Sequence, residues 1–314
     1  MTNLHYDIIG DIHGHYAPLV RLLETLGYRQ QEGVYQHARR KAIFLGDFID
    51  RGPEQKQVLN TVRRMVDAGQ ALAVMGNHEL NAIGYATPRP EQPGEWLRPH
   101  SEKNTHQHRA FLDAVPDEAE RREWIDWFLT LPLWLDLGGL RVVHACWDER
   151  AQEVLKPCLN RHNQIVSECL PALFAEGTPV YEALETLLKG KEVRLPAGQI
   201  FHDKDGHERN CIRIRWWDAG ATTYRSAFMG PESVATHIPD EPLGVEHLIE
   251  YGHQAPPVCF GHYWMEGTPA PLAANVACLD WSVAKPGGRL VAYRWDGERQ
   301  FKPDKFIEVK RDDT

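Results

Sequence analysis

The chain has 314 residues, 42% of them hydrophobic and 10% aromatic, and carries a formal charge of −9. That apolar content supports one large domain or two ordinary ones and excludes a disordered chain. The acidic balance argues against a broad nucleic-acid surface, which would be basic, and no apolar run approaches the roughly 20 residues that span a bilayer.

The first ten residues, MTNLHYDIIG, show no basic stretch followed by a long apolar one, so the expected location is the cytoplasm. Residues 6–9 form a β-prone run stopped by Gly10-Asp11, which predicts a buried strand feeding a loop. Leu19, Leu22, Leu23 and Leu26 then recur with helical period, and Gly27 follows as a C-terminal cap. The string GDIHG (residues 10–14) therefore sits between strand and helix. Residues 42–45 repeat the arrangement ahead of GDFIDRG (46–52). Pro53 suits a first helical turn, where its missing N–H costs nothing, and Val58, Val62, Met65 and Val66 form the apolar stripe. Residues 71–75 lead into GNHE (76–79). Three strand–loop–helix units in succession predict an α/β fold with its site at the carboxyl ends of adjacent strands.

Residues 86–107 hold four prolines and several charges and read as a surface excursion near the site. Residues 121–131, with Trp124, Trp127 and Phe128, read as a half-buried helix, and 140–143 as a strand ending at His144. Residues 151–189 read as a mostly helical insertion and 192–220 as strand-like, with alternation in CIRIRWW (211–217). Residues 258–260 deliver Gly261-His262, and 276–279 and 289–295 read as closing strands joined by a Pro-Gly-Gly turn. With no repeat, low-complexity segment or linker, a single domain over residues 1–314 is expected, carrying insertions near 86–131 and 151–190. The charged run at 310–314 is the one stretch that reads as disordered. Six cysteines, none in a CxxC pair, read as reduced thiols.

Hard divalent cations take oxygen and imidazole ligands, and a pair of ions needs a shared one. Asp11 and His13 alternate around Ile12, so an extended backbone points both to one side. Asp47 is the natural bridging carboxylate, and Asn77 offers a neutral oxygen. His144 and His262 each end a strand-like run, where the remaining ligands have to come from. His15 reads as lying behind the ligands. His100, His106, His108, His202, His207, His237, His247 and His253 read as structural or solvated.

In this order the strings GDIHG, GDFIDRG and GNHE, followed by VVH at His144 and CFGH at His262, resemble the phosphoprotein phosphatase branch of the calcineurin-like metallophosphoesterases. The chain is most similar to bacterial members, which include small protein phosphatases, bis(5′-nucleosyl)-tetraphosphatases and the phosphatase domain of polynucleotide kinase-phosphatases. The resemblance implies a four-layer αββα sandwich of two mixed β-sheets flanked by helices. It implies one metal on Asp11, His13 and Asp47 and another on Asp47, Asn77, His144 and His262, with a bridging hydroxide attacking phosphorus directly. It makes His78 the general acid, Asp50 its orienting carboxylate and Arg51 the phosphate clamp. A further phosphate-binding arginine falls between the late histidines, with Arg213 and Arg215 as candidates and Asn77 beside the same phosphoryl group. Manganese is the expected metal, with iron or zinc also compatible with such ligands.

The implied substrate is a phosphoprotein, a nucleotide or a small phosphorylated metabolite, with no extended nucleic acid and no membrane partner. Phosphomonoester hydrolysis is the first expectation. Phosphoanhydride hydrolysis of a bis(5′-nucleosyl)-tetraphosphate is the alternative, with Tyr85, Trp96, Trp147, Trp217 and Trp264 as candidates to stack on a base. A metal-binding scaffold without turnover is a third. One departure stands out: Ala145-Cys146-Trp147 follows His144 where eukaryotic protein phosphatases of the family carry two glycines.

Overall fold

The computed structural model describes residues 5–202, 208–249 and 251–311; His207 and residues 312–314 of the charged run lie outside them. All three expected strand–loop–helix units form. β1 (His5–Ile9) leads to α1 (Tyr16–Leu26), β2 (Arg40–Phe44) to α2 (Gln55–Asp67) and β3 (Ala71–Ala73) to α3 (Asn77–Ala86). Two helices follow, α4 (Glu102–Ala114) and α5 (Glu118–Phe128), then strands β4 (Trp134–Asp136) and β5 (Arg141–Val143). After α6 (Glu149–Leu155) and α7 (Pro179–Lys189) come β6 (Val258–Phe260), β7 (Val276–Cys278), β8 (Asp280–Trp281), β9 (Arg289–Trp295) and β10 (Phe306–Lys310).

The strands make two mixed sheets. In the first, β1, β2 and β3 run parallel, and β9 pairs antiparallel with β1, β8 and β10. In the second, ordered β7-β6-β5-β4, β6 is parallel to both neighbours and β4 is antiparallel to β5. Strand side chains alternate between faces, and the burial follows. Ile8, Ile43 and Leu45 of the first sheet meet Val142, Cys259 and Ala277 of the second in one apolar cluster. Their neighbours Ile9 and Phe44 instead join Leu19, Leu22 and Leu23 of α1 and Val58, Leu59 and Val62 of α2. Val143, Val258 and Phe260 likewise turn outward toward the cluster that holds Leu184, Leu187 and Leu188 of α7. The result is helix, sheet, sheet, helix: the four-layer αββα arrangement.

Four local readings change. Residues 276–278 do not pair with 289–295; they form β7 in the second sheet, and the chain crosses at Leu279 to the first sheet, where β8 and β9 make the hairpin. Apolar alternation reports a buried face but not which sheet it belongs to. Pro53 precedes the helix rather than opening it. Its neighbour Glu54 accepts the Tyr16 and Ala17 N–H groups at 3.0 and 3.2 Å, closing the start of α1. The polar stretch 86–107 runs into α4, whose Ser101 cap accepts the Asn104 N–H at 3.3 Å. Finally, 192–220 does not extend a sheet. Cys211–Arg213 pairs with Glu192–Arg194, Ile214 bridges to Phe228, and Val193, Phe201, Ile212, Ile214 and Ile238 form a small apolar cluster of their own.

The two sheets press together where β1 ends. A Cβ on Gly10 would lie 2.0 Å from the Leu279 carbonyl oxygen. Gly10→Ala is expected to lower the urea midpoint by the equivalent of about 1–3 kcal/mol. Gly252→Ala, with nothing within 4 Å of the added carbon, should leave the midpoint unchanged. Equal midpoints for the two variants would count against this crossing.

Candidate metal centre

The parallel strands of both sheets end on one edge, and the loops that leave them converge. Ile12 and His13 donate their N–H groups to the Asp47 carbonyl at 3.2 and 2.8 Å. Gly261 N–H donates to the His144 carbonyl at 2.7 Å, and His262 N–H to Asp11 Oδ2 at 2.9 Å. These bonds draw β1 and β2 of one sheet together with β5 and β6 of the other. Two loop glycines make room for carboxylates. A Cβ on Gly261 would sit 1.9 Å from Asp11 Oδ1, and one on Gly76 would sit 2.3 Å from Asp47 Oδ1.

The backbone at the site is strained. His13, Asp47, Asp50, Arg51 and His262 hold φ angles of 46, 50, 68, 70 and 72°. This left-handed region is unfavourable for side chains other than glycine and persists only where the surroundings impose it. Glu79, which the sequence reading left without a role, supplies part of that imposition. Its fully buried carboxylate accepts the N–H groups of Asp47, Phe48 and Gly76 at 2.8, 2.9 and 3.0 Å. It thereby ties the second motif to the third.

Backbone carbonyls then aim the imidazoles. His144 Nδ1–H donates to Leu45 O at 2.7 Å and His13 Nδ1–H to Ile49 O at 3.1 Å. Each Nε2 is left facing Asp47 Oδ2, at 3.4 Å for His144 and 3.6 Å for His13. Asn77 Oδ1 lies 3.1 Å from His144 Nε2 and 2.8 Å from His262 Nδ1. Donor atoms of Asp47, His144 and His262 fall within 4.8 Å of one another, as do those of His13, Asp47 and His78. Asp11 Oδ1 and His13 Nε2 are buried beside them without a hydrogen-bond partner. Unbonded buried polar atoms are rare and costly. Oxygen and imidazole donors in this arrangement fit hard or borderline divalent cations.

The electrostatics fit the same occupant. Burial and the neighbouring Asp280 push the Asp11 carboxyl well up. Burial lowers His13 to about 4, and burial with the Arg213 charge holds His262 well below the usual imidazole range. Both rings are therefore neutral with a lone pair to offer. Burial opposes charge on His144 too, but Asp47 outweighs it and raises this imidazole to about 10. Asp47 in turn, though buried, is held well down by His144 and His78.

Around this cluster the remaining candidates separate. His78 Nδ1 lies 2.6 Å from Asp50 Oδ2; burial works against charge on His78, but Asp47 and Asp50 keep its pKa up. Arg51 is exposed, its guanidinium 5.7 Å over the Trp264 ring, and that ring is 6.0 Å from His13. Arg213 Nη1 donates to His262 Nε2 at 3.3 Å and Nη2 to Glu192 Oε1 at 3.2 Å. Arg215 instead donates to the Ser226 carbonyl, away from the cluster. Ile214 bridges to Phe228 and burial still alternates through Arg215, so the two arginines share the alternation and differ in where their guanidinium groups reach.

His15 is buried but contributes to neither donor group. Of the aromatic candidates, Trp147 and Trp217 belong to the core, and Tyr85 and Trp96 both stack on His100, at 3.8 and 4.6 Å. Trp264 is the one of the five whose ring meets a ligand candidate among the described residues.

Two further groups at the site went unread in the sequence. Asp280 accepts the Trp264 and Ser282 N–H groups at 2.7 and 2.9 Å and is pushed by burial up to about 6. His108, read as structural or solvated, is buried on α4 with Nδ1 3.0 Å from Asp50 Oδ1. Asp50 and His108 are 58 residues apart, too far for any local pattern. The apolar spacing of His108 and Phe111, a helical i, i+3 pair, is the only trace of its burial.

The family model of calcineurin-like phosphoesterases matches residues 4–262. The asymmetrical bis(5′-nucleosyl)-tetraphosphatase PrpE of Geobacillus thermodenitrificans is 37% identical over 145 residues, covering 45% of this chain and 57% of that protein. The symmetrical bis(5′-nucleosyl)-tetraphosphatase of Methylococcus capsulatus is 30% identical over 137 residues, 44% of this chain and 41% of that protein. The chain thus spans about half the length of the relatives it matches. Among solved structures, the cold-active protein-tyrosine phosphatase of a Shewanella species aligns with a TM-score of 0.47 at 14% identity, covering 96% of this chain and 82% of that one.

Metal binding to this cluster has a proton signature. With its pKa at about 10, His144 is protonated at neutral pH in the metal-free protein, whereas a ligating imidazole must be neutral. Binding of a divalent ion at pH 7 is expected to release a proton, so affinity rises as pH climbs toward the His144 value. Titration calorimetry in two buffers of different ionisation enthalpy measures this directly. A binding enthalpy that does not depend on the buffer would overturn it.

Proposed function

Since the chain belongs to the calcineurin-like phosphoesterase family, we propose that it is a metal-dependent phosphoester hydrolase with its centre built on Asp47. The observation that carries this reading is the Asp47 carboxylate standing between the two donor groups, with Asp11 Oδ1 and His13 Nε2 buried and unbonded beside it. On this reading Asp11, His13 and Asp47 hold one ion, and Asp47, Asn77, His144 and His262 hold the other. Two such divalent ions would activate a water for in-line attack on phosphorus and neutralise the phosphoryl oxygens. Manganese is our choice for activity in vitro.

The chain's own groups do the rest. Arg51, exposed at the rim, offers its planar guanidinium to two phosphoryl oxygens, a geometry lysine lacks. Arg213, held against His262, presents a second cation to the same group, and its Nε is buried without a partner. Asp50 can only accept, so His78 carries its proton on Nδ1 there and turns Nε2 toward Asp47, 3.9 Å away. A proton on that Nε2 passes to the leaving oxygen, and the short bond to Asp50 steadies the resulting imidazole.

Residues 1–314 act on this reading as one domain, with the segments near 86–131 and 151–190 inserted around the site. The substrate is a phosphomonoester on a protein, nucleotide or small metabolite, and the location is the cytoplasm. No helix among the described residues is long and apolar enough to cross a membrane. A second reading, hydrolysis of a dinucleoside polyphosphate, draws support from what the relatives are named for and from the half-buried Trp264 ring beside His13.

Metal-stripped protein should regain phenyl phosphate hydrolysis when manganese is added. Asp11→Asn should lose metal and turnover together. His78→Asn should keep its metal and lose on the order of 10²–10⁴ in kcat. Full activity in both variants would sink the hydrolytic assignment, and stoichiometric metal without turnover would favour the scaffold.

The substrate class is settled by comparing phosphopeptides, mononucleotides and diadenosine tetraphosphate side by side. We expect the monoesters to be cleaved. Turnover confined to the dinucleotide would replace the first reading with the second.

A further inference from the structure

The Asp50–His78 pair is not isolated. Both oxygens of the Asp50 carboxylate are engaged by imidazole: Oδ2 by His78 Nδ1 at 2.6 Å and Oδ1 by His108 Nδ1 at 3.0 Å. All three side chains are buried, to between 2 and 10% exposure. An ionised carboxylate has no proton to give, so each imidazole donates to it through Nδ1–H.

The backbone of Asp50 is already fixed. Its N–H donates to Gln55 Oε1 at 2.8 Å, its carbonyl accepts from Gln55 Nε2 at 3.2 Å, and its φ of 68° is held by the loop. What remains free is rotation of the carboxylate plane, a broad sp³–sp² torsion with no sharp preference of its own. His108 is placed to set it. Its ring is fixed in turn by Phe111 at 5.0 Å and Tyr85 at 5.4 Å between centroids. The Tyr85 hydroxyl and Thr105 Oγ1 lie within hydrogen-bond distance, at 2.9 Å, joining α3, which carries His78, to α4, which carries His108.

We propose that His108 is a positioning residue for the leaving-group acid: it holds one oxygen of Asp50 so that the other faces His78 Nδ1. The proposal rests on reading His78 as that acid. It gives the segment near 86–131 a part in the chemistry besides its place on the surface.

His108→Phe keeps the ring and its packing but removes the donor. His108→Asn keeps an N–H close to the position of Nδ1. With phenyl phosphate, whose leaving oxygen needs a proton, His108→Phe should lower kcat by roughly 10–100-fold with KM unchanged, the scale typical of a lost outer partner. With 2,4-dinitrophenyl phosphate, whose leaving group departs unprotonated, it should lose less than about threefold, because the acid contributes little there. His108→Asn should recover most of the phenyl phosphate rate. Equal losses on the two esters, or no loss on either, would overturn the proposal.

Nitrogen-15 imidazole spectra of the metal-free protein provide a readout independent of turnover. Nδ1–H tautomers are expected at both His78 and His108, with the His78 Nδ1 signal displaced in His108→Phe. If the wild-type protein cleaves neither ester, the phosphomonoesterase reading fails. A displaced signal then still upholds the link through Asp50, and an unmoved one removes it.

Discussion

A carboxylate buried to 1% exposure where two sheets meet has to be answered by positive charge, and much of the molecule is arranged to answer Asp47. Three imidazole nitrogens face its Oδ2 within 4 Å, and those of His78 and His144, unlike the neutral His13, are pushed toward the charged form. Each comes from a different strand end, so the charge is compensated only when both sheets are assembled. The loop glycines follow from the same demand, because a side chain at Gly76 or Gly261 would occupy the place of a carboxylate oxygen. Glu79 holds the Asp47 loop in place by accepting the N–H groups of Asp47 and Phe48 within it and of Gly76 beside it. Fold and site are therefore one problem here. The interlayer core brings the strand ends together, and the strand ends bring together groups that are costly to bury without a cation.

Much of this was legible in the sequence because the information is local. A strand, a Gly-Asp or Gly-Asn stop and a helix lie within about three dozen residues in each of the first three units. The late histidines are marked by the apolar runs that precede them. What escaped notice is joined over long distances. Asp280 faces Asp11 from the far end of the chain, and His108 meets Asp50 across an insertion. Arg215 shares the alternation of Arg213, but its guanidinium is taken by the Ser226 carbonyl, a contact that nothing in CIRIRWW announces. The crossing at Leu279 was hidden because the apolar run 276–279 continues without a break to the last residue before β8.

The segments with no evident role in the motif reading turn out to hold pieces of the site's surroundings. The 86–131 stretch provides His108. The small apolar cluster built from residues 193–243 carries the strand that sets Arg213 against His262. Trp216 anchors that region to the central fold by donating its indole N–H to the Ala145 carbonyl at 3.1 Å, one residue past His144. The Ala145-Cys146-Trp147 sequence that departs from the eukaryotic pattern is thus the place where the added cluster is moored.

The crossing at Leu279 also bears on how the molecule can move. The chain leaves β7, gives the Leu279 N–H to Phe260 O at 2.7 Å, and enters β8 one residue later with its carbonyl pressed toward Gly10. A covalent rivet so short, beside the ligand loops, forbids the layers from sliding over one another. Shear between packed layers and rotation about a hinge are the two usual ways in which a cleft opens, and the first is closed to this fold at its centre. On the proposed function, admission and release of a substrate would fall to the peripheral segments, and the spacing of the donor atoms would be insulated from that traffic.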